Sequence, residues 1–416
     1  MLSDEVLEKV IARLTRRIEQ GNTYVLEQIG KSIKKIGALS PSKAYQLGQM
    51  IKYGGDYEKI TRKLAEITKL NVKDIKEIFE DVAKSNYEFS KQFYEYRNKK
   101  FIPYEKNLAL KTQVEALANT TAHEYVNLAN SLAFTKQVNG KTIATPLSRM
   151  YNEVLDKAIL NVSQGKTTFD EEMYSTIKEL ASSGLKTINY GTGRSMRLDS
   201  AVRMQMRGAL RELHNETQEI IGKEFDSDGV EISVHLNPAP DHAEVQGRQF
   251  STNQYDEDGK LVKKGEFEKF QSDEKAVSYD GVVFEPEFEG HDRRSISEYN
   301  CYHYIFAIVL GVSEPEYSNE QLKEIIDNNE EGFDFEGKHY SNYEGTQLQR
   351  QIETEIRKAK DEQITARAAD IPEDISNAQK RITMLTNKYR QLLKASGLPS
   401  QLDRARVSGY RRTKVK

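Results

Sequence analysis

The chain has no tryptophan and only one cysteine, Cys301, in 416 residues. One cysteine excludes an intramolecular disulfide framework. It also excludes a zinc site built mainly from thiolates, so a metal centre here needs mostly histidine and carboxylate ligands. No HExxH motif is present, and the seven histidines are scattered. No stretch reaches the roughly 18 apolar residues that a membrane-spanning helix requires. The opening MLSDEVLEKV carries three acids and no apolar run, so it does not read as a signal peptide, and synthesis in the cytoplasm is expected.

What is present is polar. Apolar residues make up 37% and charged residues 30%. Such a chain buries a core but spends much of its length on solvated helices, which suits an elongated, multi-part helical subunit. A length of 416 residues fits two or three domains or one such subunit. The formal net charge of -3 hides an asymmetry: after Asp403 there is no acid, while Arg404, Arg406, Arg411, Arg412, Lys414 and Lys416 are all cationic. A basic tail on an acidic body is a common device for touching nucleic acid or an acidic protein, and a solvated tail is the plain alternative.

Along the chain the first 225 residues read as helices. Val6, Val10, Leu14 and Ile18 fall four apart on one face. A second helix is expected to restart at Ser40 and Pro41. In NVKDIKEIFEDVAK, Asn71 reads as a cap, Asp74 lies near the positive helix end, and Val72, Ile75, Ile78, Phe79 and Val82 form a stripe. Tyr87, Phe89, Phe93, Tyr94 and Tyr96 follow as an aromatic stripe, which suits core or subunit interface better than a ligand box. Residues 108–132 and 147–161 read as further helices, separated by a hairpin or loop with Asn139-Gly140 as its turn. NYGTGRS (189–195) is a glycine loop without the lysine of a P-loop. In the next helix Leu198, Val202, Met206, Leu210 and Leu213 bury one face. Arg203, Arg207 and Arg211 recur every four residues on another, to grip DNA or an acidic groove or to pair with local acids.

Near residue 226 the texture changes. GVEISVHLN alternates like a strand, strand-like pieces flank Asp280-Gly281, and YNCYHYIFAIVLGVSEP is densely apolar. This α+β block carries the candidate chemistry. VHLNPAPDHAEVQGRQFS (234–251) brings together Asp241, His242 and Glu244, and His291, Cys301 and His303 follow. Cys-x-His at 301–303 puts both side chains on one side of an extended segment, where they and His242 could take a metal or set up a Cys–His nucleophile. The alternative is a small hydrogen-bonded polar core. From Tyr343 onward the pattern is helical again, ending at Gly397 and Pro399.

Five blocks in order carry a family likeness: RLDSAVRMQMRGAL, NPAPDHAEVQGRQFS, YNCYHYIFAIVLGVSEPEYS, YEGTQLQRQIETEIRKAK and KYRQLLKASGLPSQLDRARVSGY. Together they resemble the phage minor capsid protein 2 family of the Mu F-like head-morphogenesis superfamily, over nearly the whole chain. The family signature Pro-Ser/Asp-His-x-x-x-Gln-Gly falls on Pro240, Asp241, His242, Gln246 and Gly247. Its downstream partner falls on Asn300, Cys301 and His303, then Gly311, Ser313 and Pro315. Tyr302 stands where the family usually has arginine, and Val245 where it often has tryptophan.

The resemblance implies a non-catalytic structural protein of a tailed-phage head, made in the host bacterial cytoplasm and incorporated into the virion. Its partners would be the portal protein, the major capsid protein or both, with packaged double-stranded DNA as a further contact; no cofactor is implied. Oligomeric incorporation is expected. The competing reading is a metal-dependent hydrolase or nuclease of DNA packaging using His242, Asp241, Cys301 and His303, and a third is a toxin-like effector. The layout expected is an N-terminal helical region (1–107), a helical lead-in (108–225), an α+β signature module (226–342), C-terminal helices (343–403) and the basic tail (404–416).

Overall fold

A computed structural model of the chain describes residues 4–37, 56–130, 132–138, 141–146, 186–188, 195–252, 254–255, 261–263, 276–285, 287–294, 296 and 301–414. The expected helix starts at Ser40–Pro41, the 147–161 helix, the Asn139-Gly140 turn, residues 189–194 of the glycine loop, Asn300 and Lys416 lie outside them. The helices are α1 (Asp4–Gly37), α2 (Asp56–Phe89), α3 (Lys91–Tyr96), α4 (Leu108–Asn130), α5 (Leu198–Phe225), α6 (Pro240–Ala243), α7 (Asn319–Glu331), α8 (Asn342–Ala369) and α9 (Pro372–Ser396). The strands used below are β1 (Leu132–Val138), β2 (Lys141–Pro146), β3 (Lys186–Ile188), β4 (Ser195–Arg197), β5 (Gly229–Ile232) and β6 (Gln249–Ser251). The chain is mostly helical, as its periodicity predicts. Its contacts divide it into two compact units, neither contiguous in sequence: Met1–Glu8, Ile75–Thr121 and Met204–Gln347 form one, and Lys9–Asp74, Ala122–Arg203 and Leu348–Lys416 the other.

The second unit overturns one local reading. Asn71 does not cap a helix, because α2 runs through it from Asp56 to Phe89. Asn71 is fully buried and donates to the Leu14 carbonyl at 3.4 Å and the Tyr125 hydroxyl at 2.7 Å. Asp74 is gripped by Arg17 at 2.5 Å and Arg13 at 3.1 Å from α1. These partners, more than 50 residues away in sequence, satisfy side chains that would otherwise turn back on the backbone and end the helix. β1 and β2 form the expected hairpin, with Val138 opposite Lys141, inside an antiparallel sheet ordered β2-β1-β3-β4. α9 begins with Pro372 in its first turn and ends at Gly397, whose φ of 66° gives the left-handed C-cap that the sequence predicts.

The basic segment is laid down on this unit rather than hanging free. Ala405 is fully buried. Lys360 donates to the Ala405 carbonyl at 2.6 Å, Thr23 to the Ser408 carbonyl at 2.7 Å, and Arg367 to the Arg411 carbonyl at 2.9 Å. The Tyr410 hydroxyl donates to Gln379 at 3.1 Å, with the Lys360 ammonium 4.9 Å from the Tyr410 ring centre. Helices α8 and α9 thus fix the backbone of the segment, while the side chains of Arg406, Arg411, Arg412 and Lys414 stay exposed.

In the first unit the aromatic stripe divides between core and surface. Tyr87 and Tyr94 are buried, whereas Phe89 and Tyr96 remain about half exposed. Tyr87, Tyr94 and Asn107 all donate to the Glu224 carboxylate of α5. The apolar face of α5 is buried as its spacing predicts, with Met206, Leu210 and Leu213 in this unit and Leu198 and Val202 in the other. A small antiparallel sheet places Ile305–Ile308 beside β5, and β6 on the other edge of β5. Its core cluster is Val230, Ile232, Val245, Phe250, Phe284, Ile296 and Ile305. Val245, in this cluster, is fully buried. The strand-like pieces around Asp280-Gly281 pair as expected, Val277 opposite Val283.

Candidate functional site

The signature PDHAEVQG builds the corner between β5 and β6. Pro240 sits in the first turn of α6, where its fixed φ suits a helix start and its missing N–H costs nothing. Backbone bonds from Val245 and Gln246 to the His242 carbonyl, both 3.3 Å, close the turn after it. Gly247 then takes φ +69° and donates its N–H to the Ile232 carbonyl at 2.8 Å. A Cβ there would lie 2.4 Å from Leu322 Cδ2 and 2.8 Å from Val234 Cγ2. Only glycine fits this position both conformationally and sterically.

The second half of the signature arrives from the segment before Ile305. Cys301 and His303 lie in irregular backbone that precedes the strand rather than in the strand itself, yet both side chains reach His242. Cys301 Sγ is 3.6 Å from His242 Nδ1 and 3.5 Å from His303 Nδ1. His242, Cys301 and His303 are 1%, 7% and 2% exposed, and their donor atoms all lie within 4.8 Å of one another. The other ring nitrogens face acceptors. His242 Nε2 is 2.8 Å from the Arg294 carbonyl, and His303 Nε2 is 3.2 Å from Gln246 Oε1. Gln246 Oε1 also accepts the His235 backbone N–H at 2.8 Å, which fixes that atom as the amide oxygen. This is a set that could hold one cation or one shared proton.

Burial holds His303 well below the usual histidine range, helped by the nearby charges of His235, His242, Arg211 and Arg294. Burial also pulls His242 down, but the Cys301 sulfur, the Asp241 carboxylate and the Arg294 carbonyl outweigh it and raise its pKa. Asp241 does not join the cluster as a base. Its carboxylate is held by Arg294 in a two-point contact of 2.7 and 2.6 Å, and those bonds, with His242, overcome its burial and lower its pKa. Arg293, 4% exposed, donates to the Asp241 carbonyl at 2.7 Å and lies over the Phe284 ring at 4.2 Å. Glu244 and His291 are exposed and outside the group of three. Gly311 takes φ +73°, and Ser313 Oγ accepts the Val309 N–H at 3.1 Å, so Gly-x-Ser closes the turn after Ile308. Pro315 follows on the surface.

A family model described as phage minor capsid protein 2 matches residues 2–394. The chain belongs to the phage minor capsid protein 2 family. No curated protein and no solved structure matches it. Members of this family are virion structural components, and the buried signature cluster of this minor capsid protein fits a part that knits the fold together.

The arginine row of α5 in this minor capsid protein does not form the outward stripe that its spacing suggests. Arg211 is 5% exposed, and the Arg207 guanidinium lies 4.6 Å from the Tyr302 ring centre. Arg203 is half-buried and belongs to the other unit. A repeat of four shows that residues share a face, but not that the face meets solvent. Arg293, Arg294 and His235 were not singled out by sequence reading. A conspicuous Arg-Arg pair was the one available signal, since the Arg294 atom that meets His242 is a main-chain oxygen.

Proposed function

We propose that this minor capsid protein occupies the head beside the portal, docks there through the cationic surface of its C-terminal segment, and has no turnover of its own. The observation that carries the reading is the family match over residues 2–394. The held-down backbone of residues 405–413 supports the docking surface, because it presents Arg411, Arg412 and Lys414 without the entropy cost of ordering a free tail. Arginine suits carboxylate partners, where its planar fork makes two-point contacts. Phe89, Tyr96, Ile102 and Leu108 add exposed apolar surface of the kind a subunit covers in assembly. The hydrolase reading is disfavoured by burial: His242 and His303 are 1% and 2% exposed, which leaves a phosphodiester no approach.

Truncation at Asp403 is a poor test, since it would strip Ala405 and Tyr410 from their packing. Replacing Arg411, Arg412 and Lys414 together by alanine removes charge and leaves the backbone contacts in place. Quantitative mass spectrometry of purified virions should then show several-fold fewer copies of the chain per portal, with DNA retention normal. Normal copy number with lost DNA retention would assign the segment to DNA, where each phosphate contact contributes a log–log salt slope of about -0.9. No change in either would refute the docking role.

A further inference from the structure

We propose that His242 Nδ1, Cys301 Sγ and His303 Nδ1 bind one thiophilic divalent cation of the zinc class. The reason is a count of protons. The Arg294 carbonyl can only accept, so His242 Nε2, 2.8 Å away, carries a hydrogen. Gln246 Oε1 already accepts the His235 backbone N–H, so it accepts from His303 Nε2 as well. In neutral rings both Nδ1 atoms are then lone pairs, and both point at one sulfur, 3.6 and 3.5 Å away. A thiol has one hydrogen and can serve one of them. The other lone pair is left facing sulfur lone pairs in a site with almost no access to water, an arrangement that costs free energy unless an added proton or a metal ion sits among the three atoms.

The two sulfur–nitrogen edges have the length they would take in a tetrahedral site. Zinc bonds of about 2.3 Å to sulfur and about 2.05 Å to nitrogen give sulfur–nitrogen edges of about 3.6 Å, and the two edges here are 3.6 and 3.5 Å. The outer contacts also have the form that ligating imidazoles require: each ring donates its second N–H to an oxygen that fixes its orientation, Arg294 O for His242 and Gln246 Oε1 for His303. One thiolate and two imidazoles select zinc and its neighbours over calcium or magnesium, which take oxygen ligands. Binding forms three bonds to the metal and releases the Cys301 thiol proton to solvent, with no change of oxidation state. Because the site is sealed, the bound ion would act as a clamp between α6 and the segment entering Ile305, not as a catalyst.

The test uses the purified full-length chain, first with its zinc content measured as isolated, then stripped by chelator and titrated with cobalt. The expected result is about one equivalent of zinc per chain and, with cobalt, a thiolate-to-cobalt charge-transfer band in the near ultraviolet. Cys301→Ser should abolish that band, while His291→Ala, which alters an exposed imidazole outside the cluster, should leave binding and band intact. The wild-type cobalt spectrum reports the sulfur ligand by itself, so misfolding of Cys301→Ser would not blunt the test. Less than a tenth of an equivalent in folded wild-type chain that also gives no cobalt band overturns the site. So does stoichiometric metal bound without the band, or binding that survives in Cys301→Ser.

Discussion

Gly247→Ala is expected to destabilise the unit that carries the signature by about 2–5 kcal/mol, the sum of a left-handed backbone penalty of roughly 1–2 kcal/mol and an overpacking cost of roughly 1–3 kcal/mol. The backbone term comes from φ +69° and the packing term from a Cβ placed 2.4 Å from Leu322 Cδ2 and 2.8 Å from Val234 Cγ2. Leu322 is 3% exposed, so its methyl has nowhere to retreat without lifting α7. The backbone cannot relax either, because the Gly247 N–H is tied to the Ile232 carbonyl. Gly290→Ala is the control: its φ is +78°, yet no atom lies within 4 Å of the added Cβ. Urea unfolding should place Gly290→Ala about 1 kcal/mol below wild type, the backbone penalty alone. Equal losses in the two variants would show that the packing around Gly247 is looser than described.

The second large effect is acid lability through His214. This histidine is 4% exposed on α5. Its Nδ1 accepts from the Asn86 amide at 3.2 Å and its Nε2 faces the Ile305 carbonyl at 3.1 Å. Tyr304 and Phe306 rings stand edge-on at 4.9 Å. Burial lowers its pKa to about 4, against about 6.5 in an unfolded chain. Between those values the unfolded state binds more protons, so stability rises with pH there. The contribution is fully present above about pH 6.5 and is lost as pH falls toward 4, to a total of about 3 kcal/mol. His214→Gln should lower stability at neutral pH, but its stability should fall less steeply between pH 6.5 and 4 than that of wild type. Parallel pH profiles would rule out His214 as the source.

Much of the fold was legible because it is written in local pattern. The apolar face of α5 from Leu198 to Leu213, the Gly397 stop and the hairpin register at Val138–Lys141 all follow from period, cap chemistry or turn length. Asn71 shows where that logic stops. Its sequence context is a good cap, and the competing partners, Leu14 O and Tyr125 OH, are more than 50 residues away in sequence. The arginines of α5 fail for the same reason, since whether Arg211 faces water depends on which segments cover it. The approach of His242 to Cys301 and His303 was legible from ordered motifs, but the division of labour was not. Asp241, which looks like a candidate base, spends its carboxylate on Arg294, and the orientation of His242 comes from a main-chain oxygen that no residue type announces.

A reconstruction of the portal vertex from intact virions tests the proposed placement most directly. Density accommodating the α8–α9 pair beside the portal, with Arg411 and Arg412 against acidic portal side chains, is the expected result. Clear density for the chain elsewhere in the capsid shell, or a fully assigned portal vertex that leaves no room for it, would contradict the placement.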